Sequence, residues 1–506
     1  GDRFGTQFAG GSLGPVVEDV DGELFDDLQA WKYPDSNHPD FWAHDNDDDL
    51  SYLDDTIWKP RKKTSDAKDY VDHLPVLRES FKTDWKDTSG FIPQSGRSFG
   101  SKTITAEVLE GIHKTLESYY PVLIRIFCYY SHVGADIGNN VNGINHTGFV
   151  LMLQEARLGI DPDELKNTDA QHTFARHAKT LGEDGFELMW ISVNESKLSQ
   201  GQAAYNSKLR LTRAEFLEIL VRTAIDKKNV GDMERCMEEV CADLIQFLLL
   251  SDLPRGLIFH DANKWRIKNC YPKETCAVLG HHEETLRNLF KIYSGDIKQA
   301  ADQGSSKLMG VDEWAQLVSD VGIVKEIGVR RTYLIFVNSR MTVVDGSTKR
   351  GVENNTQLTF EGFVEGIVRL ASLKALPIDR EMKAKGFQYP GEYLGSLMNE
   401  GSNVYNKWLT KTQRAMCKGR MDPIWRRVDM FILLLVSIVQ FGVEKMPGGP
   451  SLLLRGSPDE RLSYDEVKKF FKKPTPYVFE TGQTAKAQVE GKGDISRLET
   501  APESKR

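Results

Sequence analysis

Residues 358–371 read LTFEGFVEGIVRLA, and residues 211–224 read LTRAEFLEILVRTA. Aligned without a gap, the two share Leu211/Leu358, Thr212/Thr359, Phe216/Phe363, Glu218/Glu365, Val221/Val368, Arg222/Arg369 and Ala224/Ala371. Each opens on an extended, β-prone Leu-Thr and continues with apolar residues at helical spacing: Phe216, Ile219, Leu220 and Ala224 in one, Phe363, Ile367, Leu370 and Ala371 in the other. The pattern predicts a short strand running into an amphipathic helix, used twice.

Working outward, an aromatic-rich segment ending in Val-Asn (Val193-Asn194, Val337-Asn338) leads through a polar loop into each Leu-Thr. Further upstream stand FCYYS, residues 127–131, and FKIYS, residues 290–294. Each precedes a strand residue, Ile144 or Met309, that is followed five positions later by an aromatic, Phe149 or Trp314. The repeat unit is therefore a pair of helix-loop-helix elements, and the fold class is mainly α.

A loop closing on an apolar residue, then three residues, then Glu-Phe is the EF-hand plan, clearest from Leu211 to Glu215-Phe216 and, with Trp for Phe, from Met309 to Glu313-Trp314. The order FKIYS, LMGVDEWAQLVSDVGI, YLIFVNS, LTFEGFVEGIVRLA resembles the paired hands of the tubulin polymerization-promoting protein family, best over residues 286–371 and next best over 122–226. The resemblance implies two tandem EF-hand-like pairs, 101–228 and 286–375, with Ile144 pairing with Leu211 and Met309 with Leu358. It also implies protein partners such as tubulin or other axonemal proteins, and a cytoplasmic, cytoskeletal or ciliary location.

Calcium needs oxygen ligands at loop positions one, three and five, Gly at six and a bidentate Glu at twelve. Each loop can be counted from its apolar eighth residue. The first offers Ile137, Asn139, Val141 and a closing Gly148; the second Ala204, Asn206, Lys208 and Glu215. The third offers Asp302, Gly304, Ser306 and Glu313, with Lys307 in place of the Gly; the fourth has Gly351, Glu353, Asn355 and Gly362, with Asp345-Gly346 upstream in an apparent insertion. Asp302, Ser306 and Glu313 are thus the candidate metal ligands, for weak calcium binding, and no other cofactor is expected. The main expectation is a non-enzymatic scaffold with degenerate loops. The alternative is a calcium-binding regulator that draws ligands from Asp302, Asp312, Glu313, Glu215 or Asp345.

The remaining chain sets the context. Its 506 residues, 40% hydrophobic and 27% charged, can bury more than one core. Residues 1–100 read as an acidic, largely extended and disordered arm, since residues 18–55 carry acidic side chains against a single Lys32; its aromatics Trp31, Tyr33, Phe41, Trp42, Tyr52 and Trp58 suit ordering on a partner. Residues 229–285 read as a helical connector, with an apolar stripe of Met237, Val240, Leu244, Phe247 and Leu248. Residues 376–473 read as a C-terminal helical region with a capping box at Ser463 and Glu466, and 474–506 as a disordered tail. The basic C-terminal part opposes the acidic N-terminal part in charge.

The longest apolar run, MFILLLVSIVQF at residues 430–441, is shorter than the roughly 20 residues that span a bilayer, so it reads as a buried helix. Neither a membrane span nor nucleic-acid binding is expected. Gly1 stands where an initiator Met would, so the true N-terminus is expected to be missing or processed. Six cysteines in so long a chain suit a reducing compartment, and the spacing of Cys270, Cys276, His281 and His282 fits no common zinc ribbon. No GxxxxGK[ST], GxSxG or HExxH signature occurs, and His172 and His177 miss the spacing of a helical metal pair.

Overall fold

The computed structural model describes residues 49–89, 105–133, 141–156, 182–195, 209–231, 239–242, 244–245, 261–294, 308–419, 421–445 and 475–478. These are mainly helical. A 3-10 turn, Ser51–Asp55, and one helical turn, Arg61–Thr64, lead into α1 (Leu74–Ser89). A first unit follows: α2 (Ala106–Ser131), β1 (Ile144–Asn145), α3 (His146–Glu155), α4 (Gly182–Glu195), β2 (Arg210–Leu211) and α5 (Arg213–Gly231). Next come α6 (Ala262–Asn269) and α7 (Lys273–His281). The second unit is α8 (Glu283–Tyr293), β3 (Met309–Gly310), α9 (Val311–Asp320), α10 (Val329–Asn338), α11 (Lys349–Thr356), β4 (Gln357–Leu358) and α12 (Phe360–Leu373). Helices α13 (Asp379–Lys385), α14 (Pro390–Glu400), α15 (Ser402–Cys417) and α16 (Ile424–Lys445) complete the described fold.

The strands are two residues long and pair antiparallel within each unit. Ile144 faces Leu211 and Asn145 faces Arg210; Met309 faces Leu358 and Gly310 faces Gln357. That is the register expected from the repeat. All four apolar partners are buried, so each tiny sheet is a hydrophobic clasp between two loops. The residue after each clasp starts the next helix: the Asn145 side chain accepts from Gly148 N at 2.7 Å and the Thr359 hydroxyl from Gly362 N at 3.2 Å.

Two hydrophobic cores form. One collects Phe127, Ile144, Phe149, Leu211 and Phe216 of the first unit, with Phe81 of α1 and with Val240, Cys241, Leu244 and Ile245 from the connector. The other joins Phe290, Met309, Trp314 and Phe363 of the second unit to Cys276, Leu279 and the apolar side of α16. Leu334 of α10 belongs to the first core although its helix belongs to the second unit, and α10 packs on α2.

Several expectations need correction. The arm predicted over residues 1–100 is not extended at 49–89. Leu53, Ile57, Trp58 and Tyr70 are buried in the second core and Phe81 in the first, because the chain's own second unit supplies the partner that the interleaved aromatics require. The acidic residues before position 49 lie outside the described residues. The connector read over residues 229–285 is helical at α6 and α7, as expected, and α7 packs along α16. The predicted amphipathic α12 has no solvent face: every residue from Glu361 to Ala371 is buried. Thr475 and Tyr477, expected in a disordered tail, lie against α7 and α16, where the Thr475 carbonyl meets His281 Nε2 at 2.9 Å and Tyr477 N donates to Asp429 at 3.1 Å. The capping box at Ser463 and Glu466 lies outside the described residues.

The run expected to be a buried helix is helical within α16, which packs on α7, α12 and α14, and Val428, Phe431, Ile432 and Leu435 are fully buried. Among the described residues, no helix is long and apolar enough to cross a membrane.

Candidate functional site

The closing position of each loop is the first test of ion chemistry. At Gly148 a Cβ would stand 2.6 Å from the Tyr130 carbonyl oxygen at the end of α2; at Gly362 it would stand 3.2 Å from the Ser339 carbonyl oxygen just past α10. At these two loops the arriving helix end crowds the space a closing side chain would need, so glycine is a packing requirement at Gly148 and the tightest-fitting residue at Gly362. In the other two the carboxylate is present and committed. Glu215 accepts from Thr212 N at 2.7 Å, and Glu313 accepts from Gly310 N at 2.6 Å. Each caps its own helix by binding the backbone N–H three residues earlier.

Of the three candidate metal ligands, Asp302 and Ser306 lie outside the described residues, and Glu313 is placed as a cap. The fourth loop departs from expectation, because Gly351, Glu353 and Asn355 lie on α11. A helix turns about 100° per residue, so side chains two apart cannot converge on one centre. Asp345 accepts from Ser347 N at 2.9 Å and its hydroxyl at 2.6 Å, within its own turn. Val141 is buried in the second core, whereas Ile137, Asn139, Ala204, Asn206 and Lys208 lie outside the described residues.

The Cys/His group disperses. Cys276 Sγ donates to the Tyr271 carbonyl at 3.4 Å, and buried His282 meets Asp429 at 2.7 Å while His281 meets Thr475. Among the described residues, no group of three metal-ligating side chains converges.

What the loops lack in charge, the helices hold. Glu365 on α12 is fully buried and takes three guanidiniums: Arg61 Nη2 at 2.9 Å, Arg266 Nε at 2.9 Å and Arg369 Nη2 at 2.7 Å. Burial pushes its carboxyl up, but Arg266, Arg369 and Arg61 outweigh burial and hold it at about 2. Arg369 also stacks 3.9 Å over the Trp265 ring. In the first unit the equivalent pair, Glu218 and Arg222, is buried too, with Arg222 Nε 2.8 Å from Glu218. The sequence carried a signal for this, since Glu and Arg recur four apart at the same position in both copies.

Between the two units lies a cavity of about 630 Å³, walled by α1, α2, the start of α5 and the loop after α10. The lock beside it is Arg213, whose guanidinium donates to Ser80 Oγ at 2.9 Å, the Val343 carbonyl at 2.7 Å and the Val344 carbonyl at 3.0 Å, and pairs with Asp84 at 3.1 Å. Burial alone would lower the Arg213 pKa, but Asp84 and Tyr120 raise it, while burial keeps the Asp84 carboxyl above its ordinary range against the pull of Arg213. Asp72 holds the same loop by accepting from Thr342 N at 3.1 Å.

No protein-family model matches this chain, and no curated protein or solved structure matches it significantly. Its chemistry has to be read from its own geometry. That geometry comprises loops clasped by hydrophobic strands, carboxylates bonded as helix caps, and ion pairs buried within helices.

Proposed function

We propose that the chain is a non-enzymatic scaffold built from two EF-hand-type pairs whose shape is independent of calcium, and that it associates with protein partners, in particular microtubules. The observation that carries the first part is the state of the closing positions: two are glycines packed under carbonyl oxygens and two are glutamates bonded to their own helix ends. A calcium sensor works by drawing its closing carboxylate onto the ion and swinging the exit helix. Here the exit helices α5 and α12 are buried deep in their units and tied by internal ion pairs, which opposes such a swing.

The microtubule part rests on the family resemblance of residues 286–371 and on the basic balance of the C-terminal region, which complements an acidic surface. Two experiments test the reading. Calorimetric titration of calcium into the full chain, with magnesium as control, should give no micromolar binding; micromolar heat that disappears in Glu313→Gln would establish the calcium regulator instead. Co-sedimentation with microtubules should be seen at low salt and weaken as salt rises, and failure to pellet at either ionic strength removes the microtubule assignment.

A further inference from the structure

One arginine beside the cavity between the units is paired with no carboxylate among the described residues. Arg340 follows α10 and lines that cavity. Its Nη1 is buried and meets no acceptor among the described residues, and its Nε reaches only the Val337 carbonyl in its own turn, at 3.3 Å. Burial pushes its pKa down to about 10; of the groups acting on it, the Cys128 thiol favours the charge and Arg213 opposes it. Arg125, one helical turn before Cys128, lines the same space, and its pKa is lowered by burial, with Asp261 3.9 Å away as its opposing partner.

The cavity's acids are engaged elsewhere. Asp84 binds Arg213 and Tyr120, Asp72 binds Thr342 N and Arg266, Glu215 caps α5, Glu218 pairs with Arg222, Asp261 caps α6, Asp345 accepts from Ser347, and Asp87 also interacts with another group. The walls between are apolar, with Pro121, Ile124 and Phe127 on one side and Leu334, Val337 and Met341 on the other. Arg340 is half-buried, with its guanidinium carbon 5.9 Å from the centre of the Phe336 ring, and a buried guanidinium nitrogen left without an acceptor costs stability unless an anion completes it. Size, apolar walls and a few convergent polar groups are the attributes of a small-molecule pocket.

We propose that this cavity is a binding site for a small organic anion with an apolar body, its carboxylate paired with Arg340 and its body lying between Phe127 and Val337. A planar carboxylate accepts two parallel N–H bonds from a guanidinium, which a neutral head group cannot reproduce with the same strength. Inorganic phosphate would satisfy the charge but leave the apolar walls in water. Of the closing loop positions that carry the scaffold reading only Glu215 lines this cavity, and Arg340 is not one of them, so either assignment can fail alone.

The test is calorimetric and thermal titration of the full chain with phenylbutyrate, phenylbutanol and inorganic phosphate. Phenylbutyrate should bind with one-to-one stoichiometry and raise Tm, with phenylbutanol and phosphate each weaker by roughly tenfold or more. Arg340→Gln should weaken phenylbutyrate by roughly tenfold or more without lowering the Tm of the free protein, because the guanidinium is paired with no carboxylate among the described residues. Met341→Trp, which fills the cavity and leaves every charge in place, should abolish phenylbutyrate binding. Equal affinity for acid and alcohol, no one-to-one binding of the acid, or unchanged acid affinity in a folded Arg340→Gln would overturn the proposal.

Discussion

Glu365 is the residue on which most depends. It draws one arginine from the N-terminal segment, one from α6 and one from its own helix, so three distant parts of the chain converge on a single carboxylate. Glu365→Gln removes the carboxylate shared by three buried guanidiniums, leaving only Arg266 with a second one, Asp72, and is expected to cost about 3–5 kcal/mol, read from denaturant midpoints. Because the folded carboxyl is held at about 2 against an ordinary 4.5, its contribution is complete above pH 4.5 and is lost as pH falls from there toward 2. Acid sensitivity should begin earlier, at His132. Burial, helped by Arg330, lowers this imidazole from 6.5 to about 3, where it packs against Tyr129. The unfolded chain takes up this proton below pH 6.5 and the folded chain does not, so stability falls as pH drops from about 6.5 toward 3. In His132→Phe the slope of stability against pH between 6.5 and 4.5 should flatten; an unchanged slope would assign it to another group.

At the scale of elements, close packing decides where glycine must stand. Trp314 lies fully buried across α12, and a Cβ at Gly366 would come within 2.6 Å of its ring. A glycine in a helix interior ordinarily weakens the helix, but here it makes room for the largest side chain of the second core. The same holds where Gly148 sits beneath α2. Gly148→Ala and Gly366→Ala are each expected to lower stability by about 1–3 kcal/mol through overpacking. A Gly148→Glu variant, which restores the closing carboxylate in sequence, should lower Tm and gain no calcium heat; a gain of calcium binding would mean that α2 yields more easily than its packing implies.

On the scale of the whole molecule, the N-terminal segment couples the two units. Trp58 and Arg61 complete the second core, while Phe81 of α1 sits in the first and Arg213 ties α1 and α5 to the loop after α10. Trp58→Ala should cost about 3–5 kcal/mol, since it empties a fully enclosed site. Removing residues 49–89 should convert one calorimetric transition into two, because the side chains that bridge the cores go with them. A single sharp transition in the truncated chain would show that α10 on α2 suffices to couple the units.

The sequence by itself determined the periodic part of this protein. The doubled strand-helix pattern marked β1 to β4, their pairing partners and the helices that follow, because hydrophobic spacing and capping residues act over a few positions. It also marked residues 430–441 as a buried helix, and the aromatics of its two repeats, Phe127, Phe149, Phe290, Trp314 and Phe363, are all buried. What only the tertiary structure decided was the fate of the charges. Arg61 and Glu365 are 304 positions apart, and nothing local marks them as partners. The acidic balance of the N-terminal part disguised a segment whose aromatics are buried by a distant unit. The helix Lys349–Thr356 inside an apparent loop, and the setting of Arg340 beside the cavity, arise from neighbours that the fold supplies. Local pattern reports which face of an element is apolar. Which of its charges lose their water depends on what else packs there, and that is settled only when the whole chain has folded.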